Sequence, residues 1–346
     1  MTTPVHAPVP RRRRRSLPRG LAAAALALTA ACGSGGDDDD LFLFVADMGG
    51  DKIVIFDLDA DGLPDANPER VITGPATRLD RPYDLAVDGH GRLFVASLGV
   101  APGAGRLTIY HDDADGDATP RRDIDLAGSS SLFYFHALQP VGIDARAHSE
   151  DILAAFADQA VVVEFEFNGT SQIPTGEFFG LDMESAADVA HDGNRGRVLV
   201  ADRTRNAVLA YPDLRGNTRG LDAEEELSGP ATLLDDPISL DVDGAGRIYV
   251  LNYGNGSVTV YDGNVLGVGG IEGDIAPLRR LGGPAAPLAD LTGATGLAVS
   301  PGGRLYVVHG NSVKVFAAGA HGNQAPLTVL TSPEFVMPTG VAVGED

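Results

Sequence analysis

Residues Asp235 to Asp262, DDPISLDVDGAGRIYVLNYGNGSVTVYD, hold three short apolar runs in series. Ile238-Ser-Leu240-Asp-Val242 alternates apolar and polar, the pattern of a strand with one covered face. The turn Asp243-Gly-Ala-Gly246 is rich in residues that tolerate positive φ. Ile248-Tyr-Val-Leu251 is continuously apolar, as in a strand covered on both faces. Asn252-Tyr-Gly-Asn-Gly256 turns the chain again before Val258-Thr-Val260-Tyr261.

This stencil recurs six times. The second run reads Leu43-Phe-Val-Ala46, Leu93-Phe-Val-Ala96, Ile152-Leu-Ala-Ala155, Val198-Leu-Val-Ala201, Ile248-Tyr-Val-Leu251 and Leu305-Tyr-Val-Val308. Third runs begin at Ile53, Leu107, Val161, Val208, Val258 and Val313, and a more polar fourth segment follows most of them. A turn of one type, Gly116-Asp-Ala-Thr-Pro120, Gly273-Asp-Ile-Ala-Pro277 and Gly322-Asn-Gln-Ala-Pro326, precedes three of those fourth segments. Four short strands repeated at this spacing predict an all-β, six-bladed β-propeller of four-stranded antiparallel blades. A β-sandwich has similar strands but no ordered set of four repeated six times.

The first strand appears at Leu85, Ile143, Val189, Leu240, Leu297 and Val341. The last of these has no second strand after it, while Leu43 begins a set with no first strand before it. The C-terminal strand is therefore expected to pair into the N-terminal blade and close the ring. Blades are expected near 41–81 with 339–346, then 82–139, 140–185, 186–236, 237–293 and 294–338.

Gly196-Arg-Val-Leu-Val-Ala-Asp202 with Asn206-Ala-Val-Leu, and Gly246-Arg-Ile-Tyr-Val-Leu-Asn252 with Ser257-Val-Thr-Val-Tyr, resemble the NHL and YVTN type of bacterial propeller repeat. The resemblance covers residues 41–346. It implies a platform for ligands, peptides or proteins as readily as an enzyme. The chain has no Trp, so the tryptophan motifs of WD, kelch and quinoprotein propellers are absent.

Ahead of the repeats, Arg11 to Arg15 and Arg19 precede an apolar stretch from Leu21, and Thr29-Ala-Ala-Cys32 follows. Basic, apolar and small-residue regions in that order make a secretory signal over 1–31, too short to span a bilayer permanently. Leu28-Thr-Ala-Ala-Cys32 resembles a bacterial lipobox, which implies lipidation of Cys32, the sole cysteine. Residues 32–40, ending in Asp37 to Asp40, read as a flexible charged tether. Gly33 after the cysteine points to the outer membrane or cell surface. Without residues 1–31 the chain keeps 20 basic against 48 acidic side chains, a net of −28. Such a domain repels phosphate backbones, so nucleic acid is not an expected partner.

Propeller ligands sit over the channel, on the face built by loops entering the first strand and loops linking second to third. Residues ending the second strand are Asp47, Ser97, Phe156, Asp202, Asn252 and His309; those before the first are Asp84, Gly142, Asp188, Ser239, Gly296 and Gly340. Asp47, Asp84, Asp188, Asp202, Asn252 and His309 are thus candidate ligand-binding residues there. Such an oxygen-rich set suits Ca²⁺, and the competing expectation is that Asp and Asn cap turns. Arg81-Pro-Tyr-Asp-Leu85 and Asp236-Pro-Ile-Ser-Leu240 are similar to the Pro-Asp-Gly-Leu step of gluconolactonase-type propellers, which implies a metal-dependent lactonase. Tyr83 and Ile238, however, stand where that family has its metal-binding Asp.

On the opposite face, Asp57, Asp59, Asp61 and Asp65 match the start of a calcium loop, although its twelfth position is Pro68. Leu132, Phe133, Tyr134 and Phe135 form an apolar run in a loop over the channel and are candidate partner contacts. No nucleophile elbow, zinc-protease, P-loop or dinucleotide motif is present. The reading is of a lipid-anchored, extracytoplasmic, non-catalytic platform for a protein or small ligand, with Ca²⁺ as its one candidate cofactor. The alternative is a Ca²⁺-dependent lactonase-like hydrolase.

Overall fold

The computed structural model describes residues 41–101, 103–126, 139–146, 150–165, 176–178, 182–213, 222–266 and 273–345. The leader, the tether with Cys32, and Leu132 to Phe135 lie outside them.

Within the described residues, strands form six antiparallel sheets of four. Blade 1 contains Leu41–Asp47, Lys52–Asp57 and Arg70–Thr73, with Pro338–Glu345 as its innermost strand. Blade 2 runs from the inside outward as Pro82–Val87, Leu93–Ser97, Arg106–Tyr110 and Arg122–Asp125. Blade 3 is Gly142–Ala145, Ile152–Phe156, Val161–Phe165 and Gly176–Phe178; blade 4 is Ala186–Asp192, Arg197–Asp202, Ala207–Pro212 and Glu225–Leu227. Blade 5 is Pro237–Val242, Ile248–Asn252, Ser257–Tyr261 and Arg279–Gly282. Blade 6 is Ala294–Val299, Leu305–His309, Val313–Phe316 and Thr328–Leu330. Each inner strand touches those of the blades on either side, so the sheets stand in a ring.

The ring closes as expected from the displaced first strand. Val341 pairs with Val45 and Val343 with Leu43. No rim of blade 1 is left open for edge-to-edge aggregation on the channel side.

The apolar second and third strands follow from this ring. Buried side chains fall into six clusters, each drawn from two adjacent blades. Leu43 and Val45 face blade 6, while Phe42, Phe44 and Ala46, pointing the other way, face blade 2. Successive side chains of a strand point to opposite faces, so the second strand of a blade, covered by neighbours on both sides, is apolar along its run.

Outside the core, the Gly-Asp/Asn-x-x-Pro turn latches neighbouring blades. Gly116 of blade 2 donates to Val71 O (2.9 Å) and accepts from Thr73 N (2.8 Å), adding a parallel bridge to the outer strand of blade 1. Gly322 of blade 6 does the same with Arg280 and Gly282 of blade 5. Gly273 of blade 5 donates to Glu226 O of blade 4. The next residue caps the loop leaving the latched strand: Asp117 accepts from Ala76 N, Asp274 from Ala231 N and Asn323 from Leu288 N. Gly74, at φ 126° beside the Asp117 carboxylate, has neither the backbone region nor the room for a Cβ.

Two outcomes test this architecture. Deleting residues 338–346 is expected to abolish cooperative thermal unfolding followed by circular dichroism, and a retained transition would contradict ring closure. Asp274→Ala, which removes a loop cap, is expected to cost about 1 kcal/mol in urea denaturation.

Candidate functional site

Strand register fixes which residues reach the channel face. Asp47 lies opposite Pro338, Ser97 opposite Pro82, Asp202 opposite Ala186, Asn252 opposite Pro237 and His309 opposite Ala294. All sit where the incoming loop meets its first strand, and all but Ser97, whose buried hydroxyl has no partner among the described residues, bond to that loop. Asp47 accepts from Val336 N (2.5 Å), Met337 N (2.9 Å) and Gly50 N (3.0 Å). Asp202 accepts from Glu184 N (2.7 Å), Ser185 N and Arg205 N. Asn252 accepts from Asp235 N (3.1 Å) and donates to Thr259 Oγ1 (3.0 Å). His309 Nε2 lies 3.0 Å from Thr292 O.

Asp47, Asp202 and Asn252 are fully buried, and none of these four residues lines the channel cavity. They do not converge with Asp84 and Asp188. An Asp or Asn ending a strand is the nearest acceptor for the amides of the adjoining loop, and burial makes those bonds necessary.

Asp84 and Asp188 do line the channel. A cavity of about 100 Å³ at its centre is bounded by Asp84, Asp144, Asp188, Ser239 and Asp241, among backbone and small side chains. A bulge in the first strand sets up this lining. One extra residue, Tyr83 in blade 2, Ala187 in blade 4, Ile238 in blade 5 and Thr295 in blade 6, interrupts the ladder just before the channel-facing position. Bulges of this kind re-aim the side chains that follow.

The four carboxylates act as clamps between blades. Asp84 accepts from Ile143 N of blade 3 (3.0 Å), Asp144 from His191 N of blade 4 (2.6 Å), Asp188 from Leu240 N of blade 5 (2.8 Å), and Asp241 from Val299 N of blade 6 (2.7 Å). Asp144, Asp188 and Asp241 also accept from the next amide of their own strand. Ser239 continues the pattern, its hydroxyl accepting from Leu297 N (3.3 Å). Gly142 packs where a Cβ would meet Asp188, and Gly340 where one would meet Asp84.

The sequence pointed to Asp84 and Asp188 but not to Asp144 and Asp241. Their signal was a lone carboxylate between apolar neighbours, in Ile143-Asp-Ala145 and Leu240-Asp-Val242.

Burial is the dominant influence on these groups. It lifts Asp84 and Asp241 to about 7, despite the amide bonds that oppose it. Asp144 is raised by burial, and Asp188 well above the usual carboxylate range by burial and the facing Asp84.

Below the channel, between blades 3 and 4, the buried Arg146 pairs with Glu164 (2.7 Å) and Asp213, and His191 Nε2 lies 2.8 Å from Asp213. Burial pushes the Asp213 carboxyl up, but its bonds to His191 and Arg146 outweigh this and bring it down to about 2.

The calcium-like loop lies at the other end of blade 1. Asp59 accepts from Asp61 N (2.9 Å) and Leu63 N (2.8 Å), so its carboxylate closes its own turn. Among the described residues no group of three or more His, Cys, Asp or Glu is arranged to hold a metal ion.

The channel face carries apolar side chains in water. Leu233 is 39% and Tyr253 46% exposed, and Val100, Leu288, Val336 and Met337 are also exposed on loops of this face. Leu233 has φ 62°. For a side chain with a Cβ this left-handed region costs about 1–2 kcal/mol.

No family model matches the chain, and no curated protein sequence matches it. Solved structures do. A chain of the nidogen/laminin complex superposes with a TM-score of 0.60 at 13% identity, covering 88% of this chain and 98% of that one. A Lactobacillus plantarum protein gives 0.55 at 16% identity, covering 84% and 82%. A candidate 6-phosphogluconolactonase from Bacteroides uniformis gives 0.50 at 13% identity, covering 85% and 84%. At these identities the likeness shows the propeller fold alone.

The clamps give a pH dependence of known sign. A carboxyl whose pKa rises on folding favours the native state while protonated. That contribution is complete below about 3.9, the unfolded value, and is lost as pH climbs through about 7. Asp213, lowered on folding, contributes above about 3.9, and its share is lost as pH falls toward about 2. The urea midpoint is expected to fall between pH 5 and pH 8, and Asp241→Asn to flatten that slope. A midpoint unchanged over this range in the parent chain would contradict it.

Proposed function

We propose that this chain is a bacterial, NHL/YVTN-type propeller lipoprotein that binds a protein or small ligand on its channel face without catalysing a reaction. Residues 1–31 direct export, Cys32 carries lipid, and residues 32–40 hold the propeller off the membrane at the cell surface or outer membrane. One observation carries the binding role. Leu233 stands exposed to water there, its φ of 62° being the turn geometry that Arg78 adopts at the same step of blade 1, and exposed apolar side chains mark contact sites. Tyr253, Val336 and Met337, exposed on the same face, extend that surface.

Support for a non-catalytic role comes from the carboxylates. Asp47 and Asp202 are occupied by loop amides, and Asp84, Asp144, Asp188 and Asp241 by strand amides of the next blade.

The test compares the intact lipoprotein with Leu233→Gly and Tyr253→Ala in quantitative pulldowns read by mass spectrometry. Leu233→Gly is expected to keep or gain stability, by up to about 1 kcal/mol, while both variants lose the same partner. Equal recovery by all three proteins would end the channel-face proposal. Hydrolysis of a lactone panel that disappears on addition of EDTA would replace it with the lactonase. Cys32→Ser is expected to release the protein from the membrane fraction.

A further inference from the structure

The latches show how this protein docks an extended segment on a blade edge. The outer strand of blade 1 receives Gly116, and that of blade 5 receives Gly322, each through one amide and one carbonyl in parallel orientation. At the seam between blade 6 and blade 1, the corresponding turn is Pro64-Asp-Ala-Asn-Pro68. Pro64 has no amide to give, and its bridge is to Leu58 of its own blade.

Register aligns Leu330 with Ile72, and so Val329 with Val71 and Thr331 with Thr73. The Val329 carbonyl and Thr331 amide therefore occupy the positions latched in blade 1, and no described residue bonds to either. Val329 is 46% exposed, whereas Val71 and Arg280, at its position in latched blades, are half-buried.

The surroundings are acidic. Asp59, Asp61 and Asp65 are exposed on the blade 1 loop whose Leu63 packs against the cluster containing Leu330. Tyr306, in the second strand of blade 6, donates to Gly62 O (2.7 Å), which ties that loop to blade 6. Two cations are near. Arg304 lies against Gly62, and Lys314, opposite Val329, is turned toward Asp290 O.

The geometry points to a strand-docking site on the outer edge of blade 6, for an extended segment of another protein with basic side chains flanking a small residue at the bridging position. The segment runs parallel to Thr328–Leu330, takes the Thr331 amide and gives one to the Val329 carbonyl, as Gly116 does in blade 1. Unpaired edges recruit strands in this way. Basic flanking residues match the three carboxylates, and a second copy of so acidic a chain is repelled. This site is separate from the channel face and stands or falls without it.

The test titrates the full chain against fluorescein-labelled Lys-Val-Thr-Gly-Thr-Val-Lys and its Glu-ended counterpart, read by anisotropy. Saturable binding of the Lys peptide is expected, with the Glu peptide at least tenfold weaker. Thr331→Pro removes an amide that bonds to no described residue. It is expected to weaken Lys-peptide binding at least tenfold with an unchanged melting temperature, without altering charge. Val329→Lys is expected to do the same. Absence of Lys-peptide binding, equal binding of the two peptides, or full affinity in Thr331→Pro overturns the proposal. A concentration-dependent dimer in sedimentation that Val329→Lys abolishes also overturns it, because the occupant is then a second copy.

Discussion

Every blade in this ring is covered on both faces by its neighbours, and that two-sided burial is the constraint on which the rest depends. A strand in an open antiparallel sheet can turn every other side chain to water. Here Leu43 and Val45 belong to one interblade cluster and Phe44 and Ala46 to the next. No position along the second-strand runs is spare, and the sequence answers with runs such as Leu93-Phe-Val-Ala96. The seams are apolar inside, apart from buried ion pairs such as Arg146–Glu164 between blades 3 and 4, and differ further at their inner and outer rims. Carboxylates tie most of the inner rim, and glycine-led turns tie described parts of the outer one.

The inner rim shows how a structural need can mimic a ligand site. Inner strands have an edge of amides facing the channel, and those groups need acceptors. Four aspartates supply them across successive seams, from Asp84 in blade 2 to Asp241 in blade 5. Four acids around a narrow passage have the look of a cation trap. Their bonds read instead as stitching, and burial raises the pKa of all four above the usual carboxylate range.

Legibility in the sequence followed the range of the interaction. The blade count and ring closure were readable because periodicity is local and the missing strand left a gap at each end of the chain. Asp84 and Asp188 were readable as channel residues because they stand just before the first strand. Their role was not, since the bonded amides belong to Ile143 and Leu240, more than fifty residues away. Asp144 was hidden because a carboxylate between Ile143 and Ala145 resembles an ordinary exposed strand position. Asp47 and Asp202 end their strands just as a ligand-binding residue would, and only the geometry of the incoming loop shows what they accept. The Gly-Asp/Asn-x-x-Pro turn was visible as a repeat, but its latching role needed the neighbouring blade.

Pairing Leu43 with Val343 imposes an order of events on a chain made from its N-terminus. Blade 1 is the first to emerge and the last to be completed, because its innermost strand follows the strands of all five other blades in sequence. Until that pairing forms Leu41–Asp47 lacks the strand on its channel side, and joining two segments so far apart in sequence carries the loop-closure cost that slows non-local pairing.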